Sequence, residues 1–195
     1  MFNDWFGSTL GPVDYSCTDG VNISGAGSGV RALGNKYSTT GNESISLTFL
    51  NNTGSGCQEV HTWRNNQQSW LTNIATNHNS VDPANGKVIS ANIYGDSRDE
   101  LVFVKFSNNG SSQIEIHAWQ ETYQHWLVNT ATNHGEVDAS TADVIAADTN
   151  GDGTDELVLV KYSATGSGKI ETHIWNPGQQ SWLTNIATNH GIVVN

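Results

Sequence analysis

QQSWLTNIATNH, the run Gln67–His78, recurs letter for letter as Gln179–His190, and a diverged copy, YQHWLVNTATNH, occupies Tyr123–His134. The three copies lie 56 residues apart, and so do Trp63, Trp119 and Trp175, and Trp70, Trp126 and Trp182. A fixed period of this length marks an array of supersecondary units, each stacking on its neighbours to complete a core that one unit alone cannot bury.

Within a unit the chain reads as four short apolar runs separated by turn residues. In the last unit these are Val144–Asp148, Leu157–Tyr162, Ile170–Trp175 and Trp182–Ala187. The middle unit matches with Val88–Ile93, Leu101–Phe106, Ile114–Trp119 and Trp126–Ala131; the first with Val30–Asn35, Ile45–Leu50, Val60–Trp63 and Trp70–Ala75. The runs are rich in Val, Ile and aromatics and are bounded by Gly, Asn, Asp or Pro, the pattern of strands joined by tight turns. No segment sustains a helical period. Four antiparallel strands in about 50 residues, repeated, predict an all-β chain of β-propeller blades.

The expected organisation is an N-terminal cap or partial blade over residues 1–29, followed by repeats over about 30–86, 87–142 and 143–195. Ile192–Val194 reads as the start of another strand. Three blades leave two apolar faces open, so a homo-oligomer closing the ring, or sequence beyond this chain, is expected to complete it.

The charge balance narrows the partners. Eight basic against 19 acidic residues give a net charge of −11. Nucleic acid, which requires clustered Lys and Arg, is excluded as a partner class, and so is an anionic membrane surface. No apolar run is long enough to insert in a bilayer as a helix. A weakly charged, Asn/Ser/Thr-rich surface with seven Trp suits an extracellular binding protein, so a secreted or cell-surface location is expected, with no leader at Met1–Phe6. Cys17 and Cys57 have no metal-site spacing; they form one disulfide or remain two thiols.

Asp148-Thr-Asn150-Gly-Asp152-Gly-Thr154-Asp155-Glu156 carries the clearest chemistry. Oxygen-bearing residues at positions one, three and five, with Gly153 at six, wrap hard donors around a cation such as Ca2+. Glu156 at position nine closes the set and Thr154 offers its carbonyl. The expected cofactor is a structural Ca2+ held by Asp148, Asn150, Asp152, Thr154 and Glu156. The corresponding loop of the middle repeat, Asn92–Glu100, has Tyr94 at a ligand position and Arg98 nearby, and is expected to have lost the ion; Lys36–Ser44 has diverged further.

VIAADTNGDGTDELVLV, Val144–Val160, resembles the FG-GAP/VCBS repeats of integrin-type β-propellers, although the Phe-Gly pair is absent. The resemblance spans roughly Val30 to Asn195 and is specific at Asp148–Glu156. It implies a calcium loop joining the first two strands of a blade. Family members include integrin heads, accessory domains of secreted enzymes, and lectins similar to the Psathyrella type that bind sugars between blades.

Two polar motifs repeat with the blades. Glu59-x-His61-x-Trp63, Glu115-x-His117-x-Trp119 and Glu171-x-His173-x-Trp175 place three side chains on one face of a strand. One reading is a sugar site, with Trp stacking on a pyranose while His and Glu bond its hydroxyls. The other is an interblade seam of packed Trp and a hydrogen-bonded Glu/His pair. The second motif is Thr-Asn-His, carried by Asn77–His78, Asn133–His134 and Asn189–His190 with the Thr before each. It reads as rim recognition of a hydroxyl-rich ligand, or as a turn satisfying its own backbone. Near-identical copies favour multivalent binding of glycans or another polar ligand over an enzyme, whose chemistry concentrates in one asymmetric pocket. The alternative is a structural or protein-interaction module, possibly part of a longer repeat protein; a glycan-active enzyme ranks last.

Overall fold

The computed structural model describes residues 30–35, 44–50, 57–64, 67–79, 81–120, 125–179 and 181–193. They form three four-stranded antiparallel sheets and no α-helix. The first sheet contains β1 (Val30–Asn35), β2 (Ser44–Phe49), β3 (Cys57–Arg64) and β4 (Ser69–Asn79). The second contains β5 (Gly86–Ala91), β6 (Glu100–Lys105), β7 (Gln113–Gln120) and β8 (His125–Gly135). The third contains β9 (Ala142–Ala147), β10 (Glu156–Lys161), β11 (Lys169–Asn176) and β12 (Ser181–Gly191). Each sheet is a meander with its strands in chain order. The sheets begin at residues 30, 86 and 142, so the period of the sequence is the period of the structure.

Local pattern accounts for the strands. β6, ELVFVK, has consecutive buried residues because it runs mid-sheet with both faces covered; β10, ELVLVK, is buried over Glu156–Leu159 and only partly at Val160 and Lys161. β9 alternates at its start, burying Ala142 and Val144. The face of the third sheet bearing Val144, Leu157, Leu159 and Trp175 packs on the face of the second bearing Val102, Val104, Phe106, Ile114, Ile116 and Ala118. The first two sheets meet the same way, joining Leu50 and Val60 to Val88, Leu101, Phe103 and Trp119. First strands pack against first strands, and fourth against fourth, from sheet to sheet.

The connections repeat atom for atom. After each fourth strand a valine amide donates to the carbonyl of the residue that follows the second strand: Val81 to Leu50 at 2.8 Å, Val137 to Phe106 at 3.0 Å, Val193 to Tyr162 at 2.8 Å. Ile192 and Val193 are therefore connector, not the start of another strand; Val194 lies outside the described residues. A short 3-10 turn at Pro83–Asn85, capped by Asp82, leads into β5.

The expected cap over residues 1–29 and most of the Lys36–Ser44 loop lie outside the described residues. Cys57 is buried and disulfide-bonded. Cys17, the chain's other cysteine, lies outside the described residues.

Candidate functional site

The Glu-x-His-x-Trp stripes lie on β3, β7 and β11; those of β7 and β11 are on the face turned toward the preceding sheet, and that of β3 is on the face turned away from the second sheet. Trp119 and Trp175 are 0% and 1% exposed, so neither presents an open ring to a sugar; Trp63 is partly buried. Each stripe pairs its Glu and His. His61 Nε2 lies 3.2 Å from Glu59 Oε2 in hydrogen-bond geometry, and both residues are buried. The corresponding distances are longer, 3.3 Å for His117–Glu115 and 3.5 Å for His173–Glu171.

Two residue types missed by the sequence reading complete this arrangement. Lys105 Nζ and Lys161 Nζ, closing β6 and β10, each lie 3.6 Å from the neighbouring Glu carboxylate. Ser111 Oγ donates to Glu115 Oε1 at 2.8 Å, and Ser167 Oγ to Glu171 Oε1 at 2.7 Å. The signal was present in the period: Lys105 and Lys161, like Ser111 and Ser167, are 56 residues apart. Repeat one has Phe49 where the lysine falls. The Glu115 carboxyl is held down at about 2, chiefly by the His117 contact, with Ser111 and Lys105 adding to it. Glu171 is lowered too, first by Ser167. Burial keeps the His117 imidazole neutral against the pull of Glu115.

Thr-Asn-His belongs to the fourth strand, which runs to Asn79, Gly135 and Gly191; it is not the turn that one reading of the sequence made it. Register shifts around Glu115 let the ladder resume at Gln113–Gly135, so the strand outlasts its apolar run. In the second sheet the tripeptide clasps the third. Trp182 donates its indole N–H to Thr132 Oγ1 at 2.9 Å and its amide N–H to Asn133 Oδ1 at 2.8 Å. Thr132 in turn donates to Ile114 O at 2.9 Å, and Asn133 Nδ2 to Trp182 O at 3.3 Å. His134 stands edge-on to His173, with ring centres 4.6 Å apart, and within 5.9 Å of Trp182. Its Nδ1 lies 2.6 Å from Gly135 O, which accepts, so Nδ1 carries the proton. Burial lowers both imidazoles, and His134 and Lys161 depress His173 further.

His134 thus remains half-buried at the mouth of a polar seam holding His173, Glu171, Lys161 and Ser167. In the third sheet Asn189 and His190 are exposed, and His190 repeats the contact to the next carbonyl at 2.9 Å. The side chains of Asn77 and His78 lie outside what the structure describes.

The acidic loop between β9 and β10 closes on itself. Asp148 Oδ1 accepts the amides of Gly151 and Asp152, and its Oδ2 that of Gly153. Gly151 and Gly153 have φ of +80° and +87°, which the tight turn requires of glycine. Buried Glu156 accepts from the Thr149 amide and hydroxyl, at 2.9 and 2.6 Å. Asn150 Nδ2 bridges Asp152 Oδ2 and Glu156 Oε1, 3.0 Å from each. Two carboxylates therefore share one donor. Among the described residues no three His, Cys, Asp or Glu side chains converge as a metal group.

In the middle repeat, Arg98 grips Asp96 through Nε at 2.9 Å and Nη2 at 2.5 Å. Glu100, at the position of Glu156, is pushed up to about 9 by burial and then by Asp96. Two of this loop's carboxyls thus lose their charge from within, Asp96 to a guanidinium and Glu100 to a retained proton. The two loops also dock: Asn92 N–H donates to Asp155 Oδ2 at 2.8 Å, Asn92 Nδ2 to Gly153 O at 2.9 Å, and Asp155 N–H to Asn92 O at 2.9 Å.

No protein-family model matches this chain, and no curated protein matches it.

Proposed function

We propose that the three sheets are blades of an FG-GAP/VCBS-type propeller array, and that the protein is an extracellular, non-catalytic, lectin-like module binding glycans at the mouths of the seams between blades. The observation that carries this reading is the duplicated constellation Lys105–Glu115–His117–Ser111 and Lys161–Glu171–His173–Ser167, with matching distances. An ammonium, a carboxylate and a hydroxyl beside half-exposed His134 can donate to and accept from several sugar hydroxyls. Repetition of one arrangement suits multivalent capture with modest affinity per site. The disulfide at Cys57 supports an oxidising compartment.

Calcium belongs to the same proposal. Asp148, Asn150, Asp152, Glu156 and the Thr154 carbonyl form a hard-oxygen set of the kind Ca2+ takes, and Asp152 and Glu156 converge where Asn150 now donates. Turning the Asn150 amide would put its oxygen inward. The bound ion would supply charge neutralisation and a rigid turn beside the docked Asn92.

A glycan array probed in Ca2+, followed by calorimetry with the best binder, tests the reading. The expected result is two sites per chain, one from each seam between described sheets, with Lys105→Ala and Lys161→Ala each removing one. Absence of binding to any glycan, or binding indifferent to both substitutions, would overturn it. Calcium should raise Tm in the native chain but not in Asp152→Asn; an unchanged Tm with and without Ca2+ refutes the metal.

A second reading, a purely structural or protein-interaction module, is favoured by the burial of Trp119, Trp175 and the Glu59–His61 pair. In that case the stripes are packing and the array shows no glycan selectivity.

A further inference from the structure

The outward face of the third sheet carries the same side-chain positions that the second sheet buries. Val158 and Ile174 stand at the places of Val102 and Ala118, paired across β9–β11 with Ile145; Val160 and Thr172 stand at those of Val104 and Ile116, with Ile186 beside them on β12. In the second sheet these positions are covered by the third. In the third sheet Ile145 and Ile186 are 53% and 51% exposed, and Val193 is 45% exposed where its counterpart Val137 is 8%.

A sheet face that meets water is ordinarily polar, and this one is apolar. Two carboxylates belong to this face of β9–β12: Glu156 is buried and hydrogen-bonded to Thr149 and Asn150, and Asp143 pairs with Lys87 of the second sheet. The face can thus meet a second acidic chain without bringing unpaired like charges together, despite the net charge of −11.

The occupant follows from what remains open. The opposite-facing surfaces of the second and third sheets are consumed inside the chain, and on the first sheet Glu59 and His61 are as deeply buried as Glu171 and His173. A head-to-tail contact would need that first-sheet surface free. A two-fold contact needs only the third-sheet face, twice, and closes after two chains.

We propose that the outward face of β9–β12 is a self-complementary interface that binds the same face of a second copy in a two-fold dimer. The interface is again sheet on sheet, here between like faces where the seams within the chain join unlike ones, and it is independent of whether the seams bind glycans.

Sedimentation equilibrium of the full chain, with spin labels placed at Thr172→Cys mid-face on β11, provides the test. The expected result is a dimer with coupled labels across the contact. Ile145→Lys and Ile186→Lys, exposed in the single chain and so compatible with its folding, should each weaken the dimer at least about thirtyfold, as a central apolar anchor does. Their circular dichroism and Tm should stay native. A monomer at all concentrations, open-ended oligomers, or a dimer whose Thr172 labels are uncoupled would overturn the assignment; the last is the result for a ring closed through the sheet of β1–β4. Neither outcome touches glycan binding, which is read on the array.

Discussion

Glu100 and Glu156 occupy one position of the repeat and behave as different acids. Glu156 spends both oxygens on Thr149 and Asn150, whereas Glu100 accepts the Ile93 amide at 3.2 Å and lies near Asp96. Burial first, and Asp96 second, push Glu100 from 4.5 to about 9. Between those values the folded protein retains a proton that the unfolded chain has released. Stability contributed by the neutral carboxyl is therefore full below pH 4.5 and declines as pH rises toward about 9. Glu100→Gln keeps an oxygen for the Ile93 amide and removes the ionisable proton. At pH 8 it should gain about 1 kcal/mol, roughly 2–4 °C in Tm for a chain of this size, and flatten the decline of Tm with pH. Thermal melts of both proteins from pH 5 to 9 check this; equal slopes would place the pH dependence elsewhere. The sequence showed that the middle loop had lost its first ligand and gained Arg98. The protonated carboxyl was not legible there, since burial and the approach of Asp96 are tertiary facts.

At the scale of the element, the seam between β8 and β11 contains two imidazoles in edge contact, His134 and His173, with Lys161 and Glu171 facing them. Burial and Lys161 depress both, and each histidine titrates below its ordinary 6.5. The unfolded chain takes up protons first on acidification, so their stabilising share is full above pH 6.5 and is lost as pH falls through the folded values. Glu171 is already lowered from 4.5 and stays ionised over that range. Tm is expected to fall from pH 7 to 5, and His134→Gln to recover part of the loss. Chemical-shift titration of the imidazoles assigns the groups; normal values for both would contradict the account. The strands themselves were legible, because β-branched runs between turn residues leave few alternatives, and the expected Leu101–Phe106 and Leu157–Tyr162 lie one residue from β6 and β10. The extension of β8 through Thr132, Asn133 and His134 was not. Those polar residues look like a turn until Trp182 of the next sheet supplies their partners. The burial of Trp119 and Trp175 was one of two readings of the stripe, and alternation could not choose between them, since it says which residues share a face and not what covers it.

At the scale of the whole molecule, a stack of like sheets has stability that varies with position. Each sheet contributes its own ladder, and each seam adds a shared core, so a sheet with two neighbours is held by two seams. The second sheet is covered on one face by Leu50 and Val60 of the first and on the other by Val144, Leu157, Leu159 and Trp175 of the third. The third sheet has one seam, and its outer face carries Ile145 and Ile186 in the open. Hydrogen exchange should follow this asymmetry. Amides of β6 and β7, mid-sheet in the doubly covered unit, should exchange slowest, by openings close to global unfolding. Those of β12, an edge strand on the singly covered unit, should exchange fastest among the strands of the last two sheets. The gradient also separates the two states of the chain. In a dimer that covers the outer face, protection of β10 and β11 rises toward that of β6 and β7, and it does so with protein concentration. Ile145→Lys should hold it at the monomer level throughout. Uniform protection across the three sheets at every concentration would mean that the repeats unfold as one unit, and that the open face costs the third sheet nothing.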